Sequence, residues 1–206
     1  MKDRGLIVAV SGPSGVGKGT VLARVEELME QAVPGSVGHS ISVTTRAPRG
    51  TEKDGVEYYF RTKEQFEQMI KEGKIVEYDQ YVDNYYGTPS EPLEVMINKG
   101  QDVLFDITIE GSLALDRKFG DDAATIFILP PSMETLEKRL RGRGTETEEK
   151  IQLRLAQAKN EIKRAGEFEY IITNDDLERA AQDILAIIKS EKLKASRNIN
   201  AVKELE

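Results

Sequence analysis

The 206-residue chain has no cysteine, no tryptophan and a single histidine. Without cysteine there is no disulfide framework, thiol nucleophile or thiolate metal site, and one histidine supplies neither a histidine metal centre nor a Ser-His-Asp triad. That histidine, His39, is expected at a strand edge. No apolar run approaches the roughly 20 residues of a membrane span, and the start MKDRGLIVAVSG lacks the longer apolar stretch of a secretory signal. The expected compartment is the cytosol, with no membrane partner. Positive charge is also scarce: 29 Lys and Arg against 36 Asp and Glu leave a net charge of −7, which argues against a nucleic-acid partner. An anionic ligand must therefore be met by a local cluster of cations. The chain has no internal repeat, and at 39% hydrophobic it is long enough for one sizeable core and too short for several independent domains.

Strand-like and helix-like patterns alternate through most of the length, the mark of an α/β sheet with crossover helices. LIVAV, QDVLFDI, ATIFIL and EYIIT read as buried strands. Lys18 to Gln31 carries Val21, Leu22, Val25, Leu28 and Met29 at helical spacing. GSLALDRKFG reads as a short helix closed by Gly120. The last long helix is expected to begin with Asp175 as its cap and Glu178 three residues on, burying Ala181, Ile184, Leu185 and Ile188. SEKLKASRNINAVKELE reads as a solvated helical extension or a frayed tail.

Two regions break this rhythm. From about Gly38 to Thr88 the text turns to short strands rich in Thr and Tyr, SISVTTR, GVEYYF and IVEYDQYV, around a helix after Thr62, which points to an inserted, mostly antiparallel lobe. In RLRGRGTETEEKIQLRL arginine and glycine crowd a turn before Thr145 and Glu148 form an expected capping box. An arginine-rich hinge between two helices reads as a lid.

The stretch from Ser11 to Thr20, SGPSGVGKGT, spends four glycines in ten residues directly after a buried strand. Gly12, Gly17 and Lys18 satisfy G-x-x-x-x-G-K between a strand and a helix, the context that makes this a phosphate loop. The turn from Gly12 through Pro13, Ser14, Gly15 and Val16 to Gly17 presents successive backbone N–H groups, all but that of Pro13, as an anion cradle, and Lys18 reaches the β- and γ-phosphates of a nucleotide. Gly19 follows the lysine where many NTPases carry a hydroxyl ligand for Mg²⁺. The metal is then expected on nucleotide phosphates and waters, steadied by Asp106, with Thr20 left to contact a phosphate. Arg46 and Arg49, three apart on a Pro- and Gly-marked loop with Tyr58 nearby, suit a phosphate clamp, since arginine donates in a planar fork.

SGPSGVGKGT, TTRAPRGTEKDGVEYYF, IVEYDQYVDNYYGT, VLFDI, PPSMETLEKRLRGRGTETEE and NDDL together resemble the guanylate kinase family, from Gly5 to about Lys189. The resemblance implies a P-loop NTPase fold and transfer of the γ-phosphoryl group of ATP to GMP with Mg²⁺, in purine nucleotide metabolism. It implies a parallel five-stranded core with helices on both faces (1–37, 89–130 and 160–192), a GMP lobe (38–88), a helical lid (about 131–159) and a tail (193–206). By resemblance, Arg46, Arg49, Tyr58 and Tyr86 clamp the GMP phosphate; Ser42, Glu77 and Thr88 surround the guanine, with Gly87, Asp106 and Thr108 also on the substrate side. Glu77 has a physical rationale, because a carboxylate accepts from both N1–H and the exocyclic amine of guanine, a donor pair adenine lacks. Arg139, Arg143 and Arg154 are implied to close on the ATP phosphates, and Asn174 to lie near adenine. Two other readings stay open: a related kinase acting on another phosphorylated acceptor such as a ribosyl bisphosphate, and a non-catalytic module that binds a phosphorylated protein segment. Oligomeric state stays open too.

The chain departs from the family in FDITIEG. After Asp106 the family usually reads Ile-Asp and then Gln two residues later, whereas here Thr108 and Glu110 stand at those positions. A neutral threonine acceptor is expected to read the guanine amine more weakly than a carboxylate. Glu110 either reaches inward to restore the charge or faces solvent.

Overall fold

The computed structural model describes residues 4–81, 83–142 and 147–203. Strand β1 (Ile7–Ser11) leads through the glycine turn into α1 (Lys18–Ala32), followed by β2 (Val37–Gly38), β3 (Val43–Thr44), β4 (Tyr59–Phe60), α2 (Lys63–Lys71), β5 (Ile75–Tyr81) and β6 (Asn84–Pro89). Next come α3 (Ser90–Asn98), β7 (Asp102–Asp106), α4 (Ile109–Phe119), β8 (Ala123–Leu129), α5 (Met133–Gly142), α6 (Glu148–Lys163), β9 (Tyr170–Thr173), α7 (Leu177–Lys192) and α8 (Ala195–Lys203).

Five strands make a parallel sheet in the order β2-β7-β1-β8-β9. Side chains alternate across β1, which is why its apolar run is unbroken. Val8 and Val10 join Val21 and Val25 of α1 and Ala181 and Ile184 of α7 on one face. Ile7 and Ala9 meet Leu93 and Ile97 of α3 and Leu115 of α4 on the other. This is the sheet of a P-loop NTPase, with β1 at its centre delivering the glycine turn to the ends of the strands. Among the described residues, no helix is long and apolar enough to cross a membrane.

The second sheet, β4-β3-β6-β5, pairs antiparallel at β3–β6 and β5–β6 and parallel at β3–β4. Two expected strands shrink here: SISVTTR keeps only β3 and GVEYYF only β4. Side-chain bonds hold the rest, with Asp54 accepting from the Phe60 amide and Glu52 from the Arg49 amide. Helix α2 has the full capping box: Thr62 accepts from the Gln65 amide, and the Gln65 side chain accepts from the Thr62 amide.

Two expected caps move. The cap of α7 is Asp176, which accepts from Arg179 N at 2.9 Å, while Asp175 accepts from the Asp176 amide and pairs with the Arg179 guanidinium. Helix α6 starts after Thr147, without a side-chain cap bond; Thr145 lies outside the described residues. Glu148 is engaged instead by Arg141, which also grips Glu137. The tail is no loose extension either, because Arg197 of α8, 7% exposed, donates to the carbonyls of Asp121 and Arg4 and to the Asp122 carboxylate. His39 follows β2, exposed and 3.3 Å from Glu26.

Candidate active site

Gly12 opens the loop with a φ of +150°, and a Cβ there would stand 2.5 Å from the Ile128 carbonyl, so the β1–α1 turn fits against β8 only without a side chain. Gly17 has a φ of +100° and backs onto Asn174, whose Nδ2 donates to the Val16 carbonyl at 2.8 Å. Arg139 joins the same brace, donating to Val16 O and to Asn174 O, each at 2.9 Å. Arg154 donates to Ser14 Oγ from α6. Three residues expected around the donor nucleotide thus hold the loop itself in this state. Arg143 lies outside the described residues.

Lys18, at the first position of α1 with its side chain 15% exposed, folds back to donate to Gly12 O at 2.7 Å and stands 3.7 Å from Asp106 Oδ1. A Cβ on Gly19 would have Asp106 Oδ2 as its nearest neighbour, at 3.7 Å. The β7 carboxylate therefore faces the loop position where a hydroxyl ligand is missing. Among the described residues no cluster of three or more His, Cys, Asp or Glu could hold a metal, and a single carboxylate beside room for phosphates and waters fits Mg²⁺, which keeps several waters.

Two clefts meet here. The larger, about 640 Å³, is lined by Gly12, Ser14 and Lys18 from the loop, by Gln157, Asn160 and Glu161 from α6 and by Arg164 at its C-terminal cap. The smaller, about 260 Å³, is lined by Ser40, Ser42, Glu77, Tyr86, Gly87 and Thr88. Asp79, Asp106, Ile107 and Thr108 line both. The family-derived base residues are brought together in the small cleft, and the phosphate loop in the large one.

In the small cleft Thr88 donates its hydroxyl to Glu77 Oε1. Burial pushes the Glu77 carboxyl above its ordinary range; the Thr88 bond opposes this and the nearby Asp79 charge adds to it. Glu77 has room because Gly111, in the first turn of α4, has no side chain: a Cβ there would stand 3.0 Å from Glu77 Oε2. Gly111 was missed by sequence reasoning, although glycine inside a helix, where it costs stability, is a legible signal of close approach. Thr108 is the N-cap of α4, accepting from Gly111 N at 3.2 Å. Glu110 does not reach inward; its largely exposed carboxylate pairs with Arg164.

Arg46, Arg49 and Tyr58 do not line either cleft but stand beside the small one. Glu52 accepts from both Arg46 guanidinium nitrogens, at 2.9 and 3.0 Å, and holds Arg46 over the Tyr58 ring, 5.3 Å from its centroid. The Tyr86 ring meets Tyr58 edge-on with centroids 6.0 Å apart. Arg49 is exposed at the loop tip, its amide bound to Glu52.

A family model described as guanylate kinase matches residues 4–191. A guanylate kinase of Rickettsia felis is 45% identical over 195 residues, which are 95% of this chain and 98% of that one. One of Listeria innocua is 44% identical over 205 residues, covering 100% of this chain and 98% of that one. The crystal structure of guanylate kinase from Anaplasma phagocytophilum is similar with a TM-score of 0.70 at 33% identity, covering 98% of this chain and 95% of that one.

Proposed function

Because the chain belongs to the guanylate kinase family, we infer that its two joined clefts hold the two nucleotides of one reaction, the phosphorylation of GMP by ATP. A phosphate oxygen of GMP bonds to the γ-phosphorus of ATP while the bond from that phosphorus to the β,γ-bridging oxygen breaks, giving GDP and ADP. The observation that carries the reading is the shared wall: Asp106 and Thr108 line both clefts, one containing Lys18 and the other Glu77.

Within this reading Glu77 accepts from guanine N1–H and the exocyclic amine, and Thr88 and Ser42 complete the contacts to the base. Arg46, Arg49, Tyr58 and Tyr86 clamp the acceptor phosphate. Phosphoryl transfer needs in-line positioning and neutralised oxygens rather than a general base. Lys18 leaves Gly12 O for the β- and γ-phosphates of ATP, and the loop N–H groups, with Thr20, hold the phosphate chain. Mg²⁺, when bound, neutralises phosphate charge, and Asp106 is the carboxylate placed to hold it. Arg139, Arg143 and Arg154 close from the lid segment 131–159 as lobe 38–88 closes from the other side, excluding water that would otherwise take the phosphoryl group. Asn174 braces the loop beside the adenine end. We place the activity in the cytosol.

The test is a coupled ADP-release assay across GMP, IMP, AMP and UMP. GMP should be the best acceptor; release without any acceptor dependence would overturn the reading.

A further inference from the structure

β5 carries a second carboxylate on the face that bears Glu77. Side chains two apart on a strand share a face, roughly 6–7 Å from one another, so Asp79 repeats Glu77 one step along. Across the β5–β6 pair, Tyr78 faces Gly87 and Asp79 faces Tyr86. The strand pair thus runs from the Glu77–Thr88 contact to Asp79 beside Tyr86, whose ring meets Tyr58 beneath the Arg46 guanidinium of the phosphate clamp. Asp79 is exposed, lines both clefts and accepts one hydrogen bond among the described residues, from Gln80 N to Oδ1 at 2.7 Å.

In a nucleoside monophosphate the group between base and phosphate is the sugar. An ionised carboxylate only accepts hydrogen bonds, and the donors in that middle part of GMP are the ribose hydroxyls. Beside a phosphate a carboxylate repels, and the one bond from Gln80 N leaves Asp79 further acceptor capacity with which a ligand donor would offset that repulsion. We propose that Asp79 reads the ribose of GMP, accepting from the sugar hydroxyls and selecting the ribonucleotide over its 2′-deoxy form. This rests on the GMP assignment above and goes beyond it to the sugar. With 2′-deoxyGMP the 2′ donor is absent while the repulsion remains.

The test is calorimetric binding of GMP and 2′-deoxyGMP without ATP or Mg²⁺, to the natural protein, Asp79→Ala and Asp79→Asn, with melting temperatures to verify folding. The natural protein should favour GMP about tenfold, the effect of one charge-assisted hydrogen bond. Asp79→Ala should bring the two ligands within about twofold, and Asp79→Asn, which keeps a carbonyl acceptor, should retain part of the preference. Equal preference in the natural protein and Asp79→Ala would overturn the proposal. So would a variant whose only defect is a raised Mg²⁺ requirement in turnover, since the carboxylate would then serve the metal. A natural protein that phosphorylates no GMP would sink the functional assignment as well, whereas one that phosphorylates GMP and 2′-deoxyGMP alike would sink this inference alone.

Discussion

The Thr88 hydroxyl donates to Glu77 Oε1, leaving Oε2 facing the first turn of α4 at Gly111. Burial raises the Glu77 carboxyl, so it takes up a proton above the ordinary glutamate value of about 4.3. The proposed reading of guanine by Glu77 needs the ionised form, and KM for GMP should on that reading climb on acidification at a pH higher than an ordinary glutamate would give, ahead of KM for ATP. Stability runs the other way. A carboxyl with a raised folded-state pKa favours folding at low pH, and that contribution is lost as pH rises through the folded value. Glu77→Gln should hold or raise the melting temperature at neutral pH while kcat/KM for GMP falls at least about tenfold. A lowered melting temperature with unchanged GMP kinetics would make Glu77 structural.

Lys18→Ala should leave the fold intact and cut ADP formation about a hundred- to thousandfold, the scale of losing one charge aimed at the transferring group. The ammonium's partners are a loop carbonyl and, more distantly, Asp106. An unchanged kcat would remove the phosphate-loop reading.

Thr108→Asp should keep α4 intact, because aspartate caps as well as threonine and can take over the bond from Gly111 N. It also adds a negative charge to the wall of the cleft proposed to hold guanine. The ratio of kcat/KM for GMP to that for IMP, which lacks the amine, should rise about fivefold to tenfold. An unchanged ratio would show that Thr108 acts only as the cap.

Arg197→Ala should destabilise without touching catalysis. Its guanidinium ties α8 to Asp121, Asp122 and the carbonyls of Arg4 and Gly5. Removing a largely buried cation from four acceptors should cost about 1–3 kcal/mol, or about 2–4 °C in Tm for each kcal/mol in a chain of this size. A Tm unchanged by calorimetry would return the tail to a frayed extension.

The central sheet was legible because burial on both faces leaves an unbroken apolar signature, as in LIVAV and ATIFIL. The lobe was legible only in outline: β3 and β4 keep two residues each, and in β4 the Phe60 amide donates to the Asp54 side chain rather than to a strand partner. Caps slipped where neighbours compete. Asp175 and Asp176 are chemically equal, and only three-dimensional geometry assigns the Arg179 amide to one and its guanidinium to the other. In the site, motif spacing named Gly12, Gly17 and Lys18 directly, whereas the positions of Ser42, Glu77 and Thr88 around one cleft depend on long-range pairing that only the resemblance supplied. No local pattern announces that Arg139 reaches across to Val16 O.

Gly111→Ala sets two effects against each other. In an α-helix alanine is favoured over glycine by about 1 kcal/mol, so the substitution should help α4. The new Cβ would stand 2.9 Å from Ile107 Cδ1 and 3.0 Å from Glu77 Oε2, distances that require both groups to move. Each is the end of a flexible side chain, so the protein should accommodate the methyl with a Tm close to that of the natural chain. If Glu77 reads the guanine edge as proposed, the carboxylate cannot leave its place against Thr88 without cost to function. KM for GMP should therefore rise several-fold while KM for ATP holds, and Gly111→Ser, with a larger side chain, should raise it further. If both variants bound GMP as tightly as the natural protein, the Glu77 carboxylate would have room to spare, and the tight approach of α4 to β5 would be a packing feature without a part in base recognition.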